Sequence, residues 1–205
     1  MRELDGTLER LGAELEGTVL DFGCGEMPYR HLFSECIGAD LPGNPQADIE
    51  IGPDGTLPLG DGSVDAVLST EVLEHVEDPR IYLGECFRVL KPGGRMLLST
   101  PGIFVWHPDP VDYWRWTSQG LRVEVERAGF EVVHFEGIVG LTASGLQLFH
   151  DGIAYRLRPR LERAFALLMN GAYSLADRFE PRWMKNLNAL VFAIVAQKPL
   201  YPDPP

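Results

Sequence analysis

Thr18-Val19-Leu20-Asp21-Phe22-Gly23-Cys24-Gly25 is the stretch from which the rest of the chain is read. Val19, Leu20 and Phe22 are strand-forming apolar side chains. Gly23 and Gly25 accept a positive φ and let a ligand reach the backbone where a Cβ would otherwise stand. Together they predict a buried strand running into a glycine turn, a shape that cradles a cofactor. Tight packing of a strand on a helix would use the same residues, and the third glycine of the dinucleotide fingerprint is absent. Pro28 and Tyr29-Arg30-His31-Leu32-Phe33 predict a helix next, its N-terminus placed to receive a ligand carboxylate.

Outward from this turn, strands and helices alternate. Leu4, Leu8, Leu11 and Leu15 share one face of a predicted amphipathic helix over residues 2–15. Cys36-Ile37-Gly38-Ala39-Asp40 is a second short strand ending in an acid, where Asp40 could accept hydrogen bonds from ribose hydroxyls or serve only a turn. A strand over Asp65-Ala66-Val67-Leu68 delivers Ser69, Thr70 and Glu71 to the crevice at its carboxyl end. His75 follows Glu71 by four residues, so a helical turn would put both on one face. Either Glu71 or His75 could act as a general base, and His75 could instead orient a cofactor or cap the segment that follows. Asp78-Pro79 predicts a helix start, Arg95 to Thr100 a fully buried strand, Thr117 or Ser118 another helix cap, and Phe130 to Ile138 a further strand.

Val19 to Gly25 resembles the first motif of the class I S-adenosylmethionine-dependent methyltransferases. Asp65 to Val76, containing Ser69-Thr70-Glu71-Val72-Leu73-Glu74-His75, and Arg88-Val89-Leu90-Lys91-Pro92-Gly93-Gly94 resemble later motifs of that family, in its type-11-like branch. The resemblance implies an α/β Rossmann-like sandwich with a seven-stranded, mostly parallel sheet. It also implies that the last strand, residues 189–198, runs antiparallel between the fifth and sixth. S-adenosyl-L-methionine is the implied cofactor, bound by Asp21, Gly23, Cys24, Gly25, Asp40 and Thr70, with Asp21 helping to hold its amino group. Asp21 could alternatively cap the glycine turn. The family places an adenine-binding acid shortly before a Leu-Pro pair; here the pair is Leu57-Pro58, the nearest acid is Asp54, and Asp48 competes with it.

Residues 101–116 bear on the acceptor. Phe104, Trp106, Tyr113, Trp114 and Trp116 lie among rigid prolines with His107, Asp109 and Asp112. Aromatic faces beside carboxylates suit a hydroxyl-rich ligand, so Trp106, Asp109, Asp112 and Tyr113 are candidate acceptor contacts. His107 is the preferred general base for O-methylation. His107, Asp109 and Asp112 could alternatively hold a divalent cation. Trp114, Arg115 and Trp116 read as packing residues.

The 205 residues carry a net charge of −12, which disfavours nucleic acid as a partner. Three scattered cysteines suggest a reduced, cytoplasmic setting, and neither a leader nor a membrane span is expected. One methyltransferase domain is expected over 1–205, with residues 140–186 as a helical insertion forming a lid or a homodimer element. Contact of the insertion with a lipid surface is disfavoured by the overall charge. The Pro-rich tail is expected to be loose. The expected activity is methylation of a hydroxyl on a sugar or another small or oligomeric acceptor. N- or C-methylation of a natural-product, quinone or lipid precursor competes with it, as does a cofactor-fold scaffold without catalysis.

Overall fold

The computed structural model describes residues 2–154 and 156–200; the Pro-rich tail beyond them lies outside the described residues. Its strands are β1 (Thr18–Phe22), β2 (Glu35–Asp40), β3 (Ile49–Glu50), β4 (Val64–Thr70), β5 (Leu90–Pro101), β6 (Glu131–Gly140) and β7 (Ala189–Gln197). They form one sheet in the order β3-β2-β1-β4-β5-β7-β6. β7 is antiparallel to both its neighbours and the other pairs are parallel. The helices are α1 (Arg2–Gly12), α2 (Pro79–Val89), α3 (Ser118–Arg127), α4 (Leu141–Ala154), α5 (Pro159–Phe179) and α6 (Arg182–Lys185).

The period-2 pleat of β1 sends Val19 to one face and Leu20 and Phe22 to the other. Val19 packs with Leu8, Leu11 and Leu15 on the α1 side. Leu20 and Phe22 join Leu83, Cys86, Leu121 and Val125 on the side of α2 and α3. Both faces are therefore covered, as a parallel sheet requires. Asp78 caps α2 by accepting from the Arg80 amide at 2.9 Å, and Thr117 caps α3 by accepting from the Gly120 amide at 3.1 Å.

The helix expected after the glycine turn is reduced to a single 3-10 turn, Arg30–Leu32. Its place against the sheet is taken by α1, onto which Tyr29, Leu32 and Phe33 pack. The Tyr29 hydroxyl lies 3.0 Å from an Asp5 carboxylate oxygen and ties the turn down. No helix N-terminus of useful length is left there for a carboxylate. The segment from Glu71 to His75 is likewise no helix: Glu71 sits at φ 54 and the chain turns sharply after β4.

Parallel pairing from β1 to β5 puts the carboxyl ends of those strands on one edge of the sheet. β6 ends on the same edge and β7 begins there, because β7 runs antiparallel to both β5 and β6. The glycine turn, the 101–116 loop and the α4–α5–α6 segment therefore all leave from the edge where open α/β sheets bind ligands.

Candidate functional site

A cleft of about 1610 Å3 opens at this edge, lined by residues of the glycine turn, the β2 end, the Ile51–Gly55 loop and the Thr70–Tyr82 segment. That exceeds the roughly 300–1,000 Å3 of a single small-molecule pocket, leaving room for a cofactor and an acceptor together. Gly23, Cys24, Gly25, Asp40, Asp54, Thr70, Glu71, His75 and Asp109 line it.

The glycine turn works by shape. The amides of Gly23 and Cys24 both donate to the Ala39 carbonyl, at 2.8 and 3.1 Å, and the Gly25 amide donates to Asp40 at 2.9 Å. These groups lock the turn onto β2 and are not spare donors for a ligand. At Gly25 (φ 52) an added Cβ would meet nothing within 4 Å, so the backbone faces open space. At Gly23 (φ 83) an added Cβ would lie 2.6 Å from Val72. Gly23→Ala combines that clash with a left-handed backbone costing roughly 1–2 kcal/mol. The variant is expected to melt several degrees lower and to lose ligand binding at the turn; thermal unfolding followed by calorimetry checks both.

Asp21 is buried, and among the described residues neither of its carboxylate oxygens has a hydrogen-bond partner. Burial, with a smaller contribution from Asp40, pushes its pKa up to about 7. A buried carboxylate without donors costs stability unless a ligand supplies them, and a cationic group is the natural partner. Capping of the glycine turn by Asp21 is excluded by its empty bonding. Asp40 accepts from the Gly25 amide, the Leu41 amide (2.7 Å) and Asn44. A carboxylate offers about four acceptor positions, so room remains for one ligand hydroxyl. Asn44 completes this arrangement and carried no motif signal.

Asp54 lines the cleft, whereas Asp48 accepts from the Gly38 amide at 2.8 Å and is absent from the lining. One Asp54 oxygen is held by Thr56, which lowers its pKa through that hydrogen bond.

At the other end of the cleft His75 stands in the wall, with Glu74 and His107 beside it outside the lining. Glu74 is buried; its Oε2 accepts from the Thr100 hydroxyl at 3.1 Å, and its Oε1 has no hydrogen-bond partner among the described residues. That oxygen lies 3.6 Å from His75 Nε2 and 3.7 Å from His107 Nε2. The two imidazoles meet edge to face at 5.1 Å. Val111 offers His75 Nδ1 a carbonyl, which can only accept, so Nδ1 carries a proton and the neutral ring has its lone pair on Nε2. His107 Nδ1 lies 3.2 Å from the Val105 carbonyl and 3.2 Å from Arg115. Glu71 accepts from the Ser99 hydroxyl at 2.8 Å. Both Glu71 and Glu74 are pushed above the ordinary carboxylate range, chiefly by burial and, for Glu71, next by the charge of Glu74.

The acceptor loop is organised differently from the sequence expectation. His107 is absent from the cleft lining, whereas His75, which it meets edge to face, is part of it. Asp112 is committed to Arg115, whose hydrogen bonds hold its pKa down to about 2, and to the His107 amide at 2.8 Å. Asp112 is thus a brace. Trp106 is 73% exposed and Tyr113 is half exposed, and neither lines the cleft. Trp114 and Trp116 do line it, while the Trp114 indole also donates to the Val76 carbonyl at 2.8 Å. For a cation, the donor atoms brought together are Glu74 Oε1 and one nitrogen each of His75 and His107, all within 4.8 Å. Asp109 and Asp112 are not in that set. Glu74 was the residue missed. Its signal was a carboxylate inside the apolar turn Leu73-Glu74-His75-Val76, a position that needs a partner or a function.

A doubly covered α/β sheet with its last strand reversed, a cleft at the carboxyl edge of its strands, and an unpaired buried carboxylate, Asp21, directly behind the lining residues of the glycine turn define a Rossmann-like ligand-binding protein. Residues 20–98 match the model of a methyltransferase domain family. The chain is 38% identical over 172 residues to a ubiquinone biosynthesis O-methyltransferase of Cereibacter sphaeroides, an alignment covering 67% of this chain and 68% of that protein. It is 33% identical over 168 residues to a probable S-adenosylmethionine-dependent methyltransferase of Mycolicibacterium smegmatis, covering 72% of this chain but 65% of that relative's length. The fold matches an S-adenosylmethionine-dependent methyltransferase from Mesorhizobium loti with TM-score 0.59 at 20% identity, over 95% of this chain and 100% of that one. The chain belongs to the S-adenosylmethionine-dependent methyltransferases.

Proposed function

We propose that the chain transfers the methyl group of S-adenosylmethionine to a hydroxyl oxygen of a small or oligomeric acceptor, of the sugar or phenol class. One observation carries the reading: an imidazole whose Nδ1 is engaged by a backbone carbonyl, leaving Nε2 free to act as a base, stands in the cleft wall beside a buried carboxylate. An amine or carbanion acceptor brings its own nucleophile, whereas a hydroxyl needs a base to take its proton.

The residues present fit the cofactor. Asp21 receives its ammonium, Asp40 a ribose hydroxyl, and the Ile51–Asp54 loop flanks the adenine, with Gly25 allowing close approach. When bound, S-adenosylmethionine supplies an electrophilic methyl on a sulfonium. The acceptor packs on Trp114 and Trp116 with Asp109 at its hydroxyls. His75 Nε2 would take the proton of the reacting hydroxyl, whose oxygen would accept the methyl that the sulfonium gives up. Positioning contributes heavily, since the leaving group is already good. The test is transfer of labelled methyl from S-adenosylmethionine to panels of phenols, sugars and amines, with the methylated atom located by mass spectrometry. Label appearing on nitrogen or carbon alone overturns the reading.

A second reading is favoured by the Glu74–His75–His107 donor set: a divalent cation held there, helping to bind or acidify the acceptor hydroxyl. In support, the far nitrogen of each imidazole faces a backbone carbonyl, as metal-ligating histidines commonly do. Two imidazoles and one carboxylate suit manganese, iron or zinc better than magnesium. Calorimetric titration of chelator-treated protein with manganese is expected to show one site that Glu74→Gln abolishes. No heat in the unmodified protein removes the cation and leaves the proton transfer.

A further inference from the structure

The α4–α5–α6 segment differs in charge from the rest of the chain. Residues 140–186 carry seven arginines and lysines against four acids, a net +3 within a chain of −12, which leaves −15 elsewhere. Two of those acids are spent at the root of the segment. Asp177 accepts from the Gly140 amide and from Lys185, and Glu180 accepts from the Leu141 and Thr142 amides, capping α4 from the far end of α5. The exposed cations remain at the two ends of α5: Arg156, Arg158, Arg160 and Arg163 at one, Arg178 and Arg182 at the other.

Between them α5 exposes an apolar line. Leu161, Leu168 and Leu175 recur every seven residues and, with Phe179, fall within about 40° of one direction at 100° per residue. All four are 59 to 76% exposed, and Trp183 in the adjoining α6 is 66% exposed. On one flank of this line, about 40 to 80° round the helix from Leu161, Phe165 stacks on His150 of α4 and Met169 is buried. The line is thus what α5 presents after its packing on α4 is satisfied. Arg160 and Arg178 both lie on the other flank, about 100° from Leu161 on the helical wheel and away from the α4 contact.

We infer that the exposed face of α5 docks on an anionic lipid bilayer, with its leucines and Phe179 in the acyl boundary and the arginines at its two ends among acidic headgroups. A helix with an exposed apolar line, arginines along its free flank and an exposed tryptophan beside it has the composition of an interfacial element. Charge complementarity favours the bilayer over a second copy: an isologous pairing of α5 would set Arg160 and Arg178 against arginines of the other copy. The overall charge of −12 had argued against lipid contact; its uneven distribution removes that objection for this face. The segment rises from the sheet edge where the cleft opens, so a docked bilayer lies at the acceptor side of the molecule. Docking does not depend on which atom is methylated.

The test is co-sedimentation of the full chain with vesicles of phosphatidylcholine alone and of phosphatidylcholine with an equal part of phosphatidylglycerol, at about 0.1 M salt. Binding to the anionic vesicles is expected to be at least about tenfold tighter than to the neutral ones, and to be lost in the Leu168→Glu, Leu175→Glu double variant. Arg160→Glu with Arg178→Glu is expected to abolish the preference for anionic lipid. Both changes lie on exposed positions, and unchanged thermal unfolding confirms that the variants fold. Equal sedimentation with the two vesicle types overturns the inference. So does a dimer in sedimentation velocity that the leucine variant dissociates while vesicle binding is absent.

Discussion

Asp21→Asn is expected to weaken S-adenosylmethionine binding by about a hundredfold or more while making the free protein more stable. The loss follows from removing one partner of a buried ion pair, which typically costs about 3–5 kcal/mol. The gain follows from the other side of the same physics. In the free protein Asp21 is buried with neither oxygen bonded, and desolvation drives its pKa from 3.8 to about 7. Replacing that carboxyl with a neutral amide relieves a penalty on the order of 1–3 kcal/mol at neutral pH and above. A lower melting temperature, or unchanged affinity in calorimetry with S-adenosylmethionine, would show that Asp21 is merely structural.

The same carboxyl predicts two pH dependences of opposite sign. The unfolded chain releases the Asp21 proton near pH 4 and the folded free protein near 7, so between those values the folded state binds more protons. The contribution of Asp21 to stability is therefore full below pH 4, falls as pH rises through that window, and is gone above 7. Cofactor affinity runs the other way, because the ammonium needs the ionised carboxylate: below about pH 7 it should drop by up to about tenfold per pH unit. Subtracting the Asp21→Asn profile from the unmodified one isolates this group from Glu71 and Glu74, which are raised as well.

Where sequence and structure agree, the information is local. Alternation of apolar and turn residues placed β1, β2, β4 and β5, and the Asp78-Pro79 pair placed the start of α2, because strand burial and helix capping act within a few residues. The helix after Gly25 failed because α1, distant in sequence, occupies the surface it would need. The acceptor loop failed for a related reason. Nothing in Trp106 or Asp112 announces that one will project into solvent and the other will clasp Arg115. Aromatic and acidic residues serve recognition and bracing equally well, and three-dimensional neighbours decide which. Glu74 was legible as a carboxylate in an apolar turn, but its histidines arrive from two segments, and His107 lies 33 residues further along.

That convergence makes His75→Asn the most informative change at the acceptor end. Asparagine keeps an N–H donor near the position of Nδ1 and can still reach the Val111 carbonyl, so the 101–116 loop stays anchored while the Nε2 lone pair is lost. The expected result is a fall in kcat of about 10²–10⁴, the usual worth of a general base, with cofactor affinity changed less than about threefold. The limb of the pH–rate profile that reports ionisation of the base should flatten, which a merely structural defect would not do. His107→Asn should cost far less, about tenfold, because His75 lines the cleft and His107 does not. The reverse order, with His107→Asn the severe variant, would move the base to His107 and make His75 the residue that positions it. Equal and complete loss in both, restored in neither by raising the pH but accompanied by loss of manganese binding, would make the pair cation ligands. The three outcomes differ because one lone pair, one buried carboxylate oxygen and two imidazoles can share either a proton or a cation, and the geometry at Glu74 accommodates both.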